Sequence, residues 1–507
     1  MFFRLALKGS HDITPPACSG AKIDAMSRTC RRTMVFLSGV ALIAAFGARA
    51  GALPPQAGLL PQTDAHDPSK LDFQSALSHY NAGDYSRAAQ ELEALARQAP
   101  ESFDVEELLG LVFSAEGKDA EALPRLEKAA RLKPNSASAR CNLAVNYSKL
   151  GKNDLAESAF RKAIALDPHN VDTNHDFGEF YVRAGKLPAA IPYLEEAQRQ
   201  DPTSYENGYD LALAYALTGQ WKPAQRLIEP LLEKKDTAEL HNLLAEVDEG
   251  GGDYVAAANE YQRAAHMDPS ESNLFDWGSE LLLHHTIDPA VEVFTQGLNR
   301  YPGSARLAVG LGLALYWRSS YGDAVKALLK ATDLAPADAR AYYFLSKAYD
   351  MSPGQADEVI AHFARFAERE PRDARAAYYY GMSLWKGKRS EGSIALLNQV
   401  EALLKKASAL DPSFADAHLQ LGNLYSQERR YENAVPEYQQ ALRLDPNIPD
   451  AHYRLGQAYV HLGKKDLAEK EFHVHKELYE KHLADVDEQR TKIRQFIYSI
   501  KGDHSGT

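Results

Sequence analysis

The chain has 507 residues, 45% of them hydrophobic and 25% charged, which is the composition of a folded, soluble protein and not of a disordered one. Its net charge of −12 argues against a nucleic-acid binder, which needs a basic face to displace counterions from phosphates.

The first 50 residues read as an export signal. Arg28, Arg31 and Arg32 precede a short apolar run at 34–48, and Ala48-Arg49-Ala50 follows, so the order is charged, apolar, then small-x-small. The run is shorter than the roughly 20 residues a membrane-spanning helix needs. Cleavage after Ala50 is therefore expected, with an uncleaved membrane anchor as the alternative and Met26 or Met34 as alternative starts. The expected destination is periplasmic or extracellular. Cys18 and Cys30 fall in the removed part and leave Cys141 alone, so no intrachain disulfide is expected. Residues 51–69 are rich in Pro and polar side chains and read as a flexible linker.

From residue 70 the sequence repeats. Prolines at 100, 134, 168, 202, 269, 302, 336, 371, 412 and 446 close successive segments, mostly 33 or 34 residues apart. Inside each segment a small residue recurs (Gly110, Ala144, Gly178, Gly312, Gly422, Gly456), and an aromatic or large apolar residue follows three positions later on the same helical face. Glycines at 83, 117, 151, 185, 219, 252 and 463 mark a bend, where positive φ ends a helix cheaply. Five residues beyond comes alanine, then a bulky residue such as Phe160, Phe294, Tyr438 or Phe472, a pairing that lets two helices approach closely.

Leu421-Gly422, Tyr425, Ala434, Tyr438, Ala441 and Pro446 together resemble the tetratricopeptide repeat (TPR), a helix-turn-helix unit. The resemblance runs over residues 70–482 in about twelve copies. It implies an all-α fold, a right-handed α-solenoid superhelix whose first helices line a concave groove for extended or helical segments of partner proteins. The ninth copy carries one extra residue near Met351-Ser352-Pro353-Gly354, and the tenth about seven in the region 388–407, which predicts a longer second helix. Residues 483–507 lack the repeat, and 485–500 are expected to form a wetter capping helix.

The family's register places positions 2, 5, 9, 12 and 13 of each copy toward the groove. Copies eight to ten then present Arg306, Tyr316, Trp317, Arg340, Tyr343, Lys347, Arg375, Tyr378, Trp385 and Lys386. Guanidinium beside aromatic rings suits an acidic or C-terminal partner segment, with arginines 306, 340 and 375 as a ladder. Copies two, four, five and six instead put Asp104, Glu107, Asp172, Glu179, Glu206, Glu239, Glu246 and Glu249 inward as an acidic stretch. The other reading is that the rings are core between copies and the charges a solvated face. A second row, Asn142, Asp176, Asp210 and Asp276, falls at position 6 and is expected to cap neighbouring helices.

No phosphate loop, nucleophile elbow or His-Glu-x-x-His motif occurs. His284 and His285 are adjacent and point to different faces, and His475, Tyr479 and His482 share a helix face without a third strong metal ligand. The expectation is a non-catalytic scaffold with no cofactor, no metal and no nucleic-acid partner, in envelope assembly or secretion. The alternative is a regulatory or substrate-recruiting subunit of a separate enzyme, such as a glycosyltransferase system.

Overall fold

The computed structural model describes residues 68–388 and 393–481. Residues 1–50, most of the linker, Cys18, Cys30, His482 and the expected capping segment lie outside the described residues. These contain 24 helices and no strand, an all-α fold. The first helix begins at Pro68, two residues before the expected start of the repeats.

Two units divide the described chain. The N-terminal unit holds residues 68–236 with Glu246–Gly252. Its helix pairs are α1 (Pro68–Asn81) with α2 (Tyr85–Gln98), α3 (Phe103–Ala115) with α4 (Asp119–Leu132), α5 (Ala137–Lys149) with α6 (Asn153–Leu166), α7 (Val171–Arg183) with α8 (Leu187–Gln200), and α9 (Tyr205–Leu217) with α10 (Trp221–Lys234). Helix α11 (Ala238–Gly251) divides between the units. The C-terminal unit holds Thr237–Ala245 and the described residues from Asp253 onward. It comprises α12 (Tyr254–Met267), α13 (Glu271–Leu283) with α14 (Ile287–Arg300), α15 (Ala305–Trp317) with α16 (Tyr321–Leu334), α17 (Ala339–Met351) with α18 (Ala356–Arg369), α19 (Ala374–Gly387) with α20 (Ile394–Leu410), α21 (Ala415–Gln427) with α22 (Tyr431–Leu444), and α23 (Pro449–His461) with α24 at 465–481. The pairing gives twelve repeats, each an odd-numbered first helix and an even-numbered second one. Within each unit successive helices pack in chain order, and first helices also touch the next first helix, as in an α-solenoid.

Local chemistry sets these boundaries. Second helices end where Asp precedes Pro, because a residue before proline is pushed out of the α region; Asp167, Asp268, Asp411 and Asp445 all adopt extended backbone there. The next first helix starts on a side-chain cap, as where Ser136 accepts the Ala139 amide at 3.2 Å or Asn170 that of Thr173 at 2.9 Å. All seven predicted bend glycines have positive φ. In repeats 7, 8, 9 and 11 the bend falls instead on His285, Ser319, Gln355 and Arg429, at φ of 57° to 64°, a conformation that costs an L-residue about 1–2 kcal/mol. The tenth repeat's second helix, α20, has 17 residues where the other second helices with printed bounds have 14, as its insertion predicts.

Packing within a pair rests on size contrast. A Cβ added at Gly110, Gly178, Gly312 or Gly422 would lie 2.4 to 2.6 Å from Leu126, Leu194, Leu328 or Tyr438 across the pair. The opposing alanines (Ala88, Ala122, Ala156, Ala224, Ala434) have no exposed surface. Two recurrent polar ties add to this. At position 4 of a repeat, Glu106 is fully buried and meets Arg125 at 3.2 Å and Lys128 at 3.0 Å, while His418 meets Glu437 at 2.7 Å and His452 meets Glu471 at 2.6 Å. Each joins the two helices of one repeat.

The second tie joins neighbouring repeats. The position-11 tyrosine of a first helix bonds to the second helix of the preceding repeat: Tyr147 donates to Glu127 (2.9 Å), Tyr181 to Glu157 (3.0 Å), Tyr215 to Glu195 and Tyr425 to Glu401 (3.0 Å), and Tyr459 accepts from Gln439 (2.9 Å). Burial and the facing carboxylate push the Tyr147 and Tyr181 phenols up to about 12. Replacing Gly422 by Ala forces the new methyl into the fully buried Tyr438 ring, so urea denaturation should show a loss of about 1–3 kcal/mol.

Candidate functional site

Four of the residues assigned to the groove from register meet in one concavity in the C-terminal unit. Tyr316 and Trp317 end α15, and Tyr343 and Lys347 lie along α17; with Leu313 and Phe344 they line a cavity of about 220 Å³. Leu313 stands at position 9, so the register rule that found the others also covers it. Phe344, at position 6, gave no such signal. The ring positions are fixed by neighbours: Trp317 stacks on His285 (centroids 4.5 Å apart, planes at 17°), and Tyr316 meets Tyr321 edge-on at 5.4 Å. Thus the strained bend at His285 also supports one wall of the cavity. The Lys347 ammonium sits 5.7 Å from the centre of the Tyr343 ring, within cation–π range.

The three arginines are not equivalent rungs. Arg306 is 2.8 Å from Glu271 and lies over the Phe275 ring. Arg340 grips Asp338 through two nitrogens, at 2.8 and 2.6 Å. The reason is local: Asp338 is the N-cap of α17, two residues away, and its carboxylate fits the guanidinium fork. Only Arg375 has no carboxylate partner among the described residues, although its backbone amide bonds to Asp373. Lys386 pairs with Asp350. Tyr378 packs on Phe414 at 5.0 Å and Trp385 against the core of the last repeats, so these two are mainly packing residues. Lys347 and Arg375 are therefore the cations of this face that make no carboxylate ion pair among the described residues, although Asp416 lies within electrostatic reach of Lys347.

The acidic stretch is also reshaped. In the N-terminal unit Asp172 and Glu206 are exposed, and Glu179 pairs with Arg183 on its own helix. Glu239 and Glu246 share α11 but belong to different units. The position-6 row does not cap helix ends; its members bond sideways between first helices. Asn142 donates to Glu107 at 3.1 Å, Cys141 to Asp176 at 3.3 Å, and Asn242 to Asp276 at 3.5 Å. Glu107, Asp176 and Asp210 sit where α3, α5, α7 and α9 of the N-terminal unit crowd together. Burial raises Glu107 to about 7, Asp176 to about 6 and Asp210 to about 7, with His175 partly offsetting the effect at both aspartates.

Metal chemistry finds little here. Among the described residues no three His, Cys, Asp or Glu side chains converge, His285 is spent on Trp317, and His475 bonds to the Pro449 carbonyl at 2.9 Å. No helix among them is long and apolar enough to cross a membrane.

The raised carboxyls have a pH consequence. A folded pKa above the unfolded value gives stability that is present below about pH 4 and lost as pH rises through about 6 to 7. Asp210→Asn should therefore raise the thermal midpoint at pH 8, by the equivalent of about 1–3 kcal/mol, and the gain should shrink toward zero at pH 5 in parallel melts.

Family models find the same repeats in the sequence. Models described as tetratricopeptide repeats match residues 73–137, 137–170, 181–247, 275–339 and 354–412, and one described as TPR repeat matches 422–463. A comparison with curated protein sequences gives no match. Among solved structures, yeast Tom70 is 15% identical over 87% of this chain and 99% of its own, with a TM-score of 0.36. The type IV pilus biogenesis factor PilW is 20% identical over 40% of this chain and 96% of its own, at 0.36. The C-terminal part of a TPR repeat-containing protein from Cytophaga hutchinsonii is 17% identical over 47% and 99%, at 0.41. The family matches together span well over half of the sequence, and they fall on the helix pairs described above: the chain belongs to the tetratricopeptide repeat family.

Proposed function

We propose that the protein is a non-catalytic interaction scaffold that holds an acidic segment of a partner protein against the first helices of repeats 8–10. The observation that carries this reading is the aromatic cavity of about 220 Å³ lined by Lys347, whose ammonium makes no ion pair with a carboxylate among the described residues; Arg375, on the first helix of the next repeat, makes none either. Rings supply rigid contact area at low entropic cost, and an ammonium or guanidinium left without an internal partner favours a carboxylate from outside. The repeat fold supports a role in protein–protein interaction, because stacked helix pairs offer extended surfaces and spend their residues on packing. The basic, apolar, then small-residue order of 28–50 supports export, and so an envelope partner in assembly or secretion.

Selection of random peptides on the full chain tests the reading. Enrichment of Asp, Glu or a free C-terminal carboxylate beside a bulky apolar residue is expected. Lys347→Glu with Arg375→Glu should weaken the selected peptides by about ten-fold or more, since reversing charge turns attraction into repulsion. Selected peptides with no acidic bias would sink the proposal.

A further inference from the structure

Four of the repeat bends are made by an L-residue at positive φ, a conformation that glycine adopts at lower cost. Such a bend asks nothing of a side chain: a Cβ added at Gly83, Gly117 or Gly151 meets no atom within 4 Å. Where a side chain stands at a strained bend, the reason lies in what it touches. His285, at φ of 58°, lays its imidazole on Trp317 of the next repeat, with 4.5 Å between centroids and 17° between planes. Ser319, at 64°, accepts a hydrogen bond at 3.4 Å from Tyr321, whose ring meets Tyr316 edge-on. These two strained bends thus brace the two rings that end α15.

What the rings enclose limits the occupant. About 220 Å³ lies below the roughly 300–1,000 Å³ of small-molecule pockets and suits one large side chain. The walls are Tyr316 and Trp317 on α15 and Tyr343 and Phe344 on α17, the last two edge-on to each other at 5.1 Å, and Leu313 and the Lys347 side chain complete the lining. Ring faces carry partial negative charge and ring edges partial positive charge. An incoming ring therefore gains offset or edge-to-face contacts that an aliphatic chain of equal area does not. His285 already covers one face of Trp317, which fixes the plane in which the rest of the indole meets that ring.

We infer that the cavity takes one aromatic side chain of the partner segment, and that His285 is the positioning residue that holds the Trp317 ring for it. The inference rests on the reading of repeats 8–10 as a partner site and goes further by naming the anchor: a ring, with a neighbouring carboxylate directed to Lys347. The imidazole acts through Trp317, and the strained bend keeps it in place.

Fluorine NMR on the full chain labelled with 5-fluorotryptophan decides it, with Trp317→Phe identifying one signal among the four tryptophans. N-acetylphenylalanine, which joins a ring to a carboxylate, should shift the Trp317 signal saturably at about ten-fold lower concentration than N-acetylleucine. In His285→Gly, which keeps the bend without its strain, that preference should fall to about two-fold or less, and His285→Phe should restore it. A leucine probe that binds as well as the phenylalanine probe overturns the inference, as does the lack of a saturable shift with either. So does an unchanged preference in His285→Gly, or no recovery in a folded His285→Phe chain. Should glycine unfold the chain, His285→Asn takes its place, since asparagine also tolerates positive φ. N-acetylphenylalaninamide separates this inference from the reading it rests on. If the amide binds as tightly as the acid while the preference for the ring holds, the acidic-partner reading fails and the aromatic anchor stands.

Discussion

Everything in this molecule depends on how closely two helices of a repeat can approach. Glycine or alanine on the first helix faces a leucine, phenylalanine or tyrosine on the second, and a single added methyl would sit within 2.6 Å of the opposing side chain at Gly110, Gly178, Gly312 and Gly422. No repeat can bury its own outer apolar face, so each close pair becomes the floor for the next. The alanines that complete the contact, such as Ala122 and Ala156, are wholly excluded from water. Once this contact is set, the bend, the cap and the proline at the repeat end follow as the local chemistry that delivers the helices to it.

Polar groups then distinguish one stretch from another. Tyrosine at position 11 does more than fill space, since its hydroxyl reaches a carboxylate on the preceding repeat and ties the two together. Where that tie is absent among the described residues, other polar pairs join the neighbours, such as Arg306 with Glu271 and the buried Thr332 with His362. The N-terminal unit takes a different course: it crowds Glu107, Asp176 and Asp210 between first helices, where burial raises their pKa values toward neutrality. Such groups couple the packing of those repeats to proton uptake.

The candidate binding face shows how far register reasoning reaches. It found Tyr316, Trp317, Tyr343 and Lys347, because position in a helix fixes which face a side chain occupies. It treated Arg306, Arg340 and Arg375 as equals, because register says nothing of what stands opposite. The partners are Glu271 from the preceding repeat and Asp338 at the helix's own cap. Asp338 was legible as a cap residue, but its grip on Arg340 depends on the side chain folding back over two residues.

By itself the sequence determined the repeat, its number, the bend glycines and the size contrast at each contact, since these are periodic and each copy reports on the others. It also showed the longer helix of repeat 10, because inserted residues in a fixed unit have few places to go. Only the tertiary structure decided which charges are already satisfied, which tyrosines find a carboxylate, and that the position-6 row links neighbouring helices sideways. Apart from the local grip of Asp338 on Arg340, those outcomes depend on distances between residues some 20 to 35 positions apart in the chain, and on desolvation that exists only once the repeats have stacked.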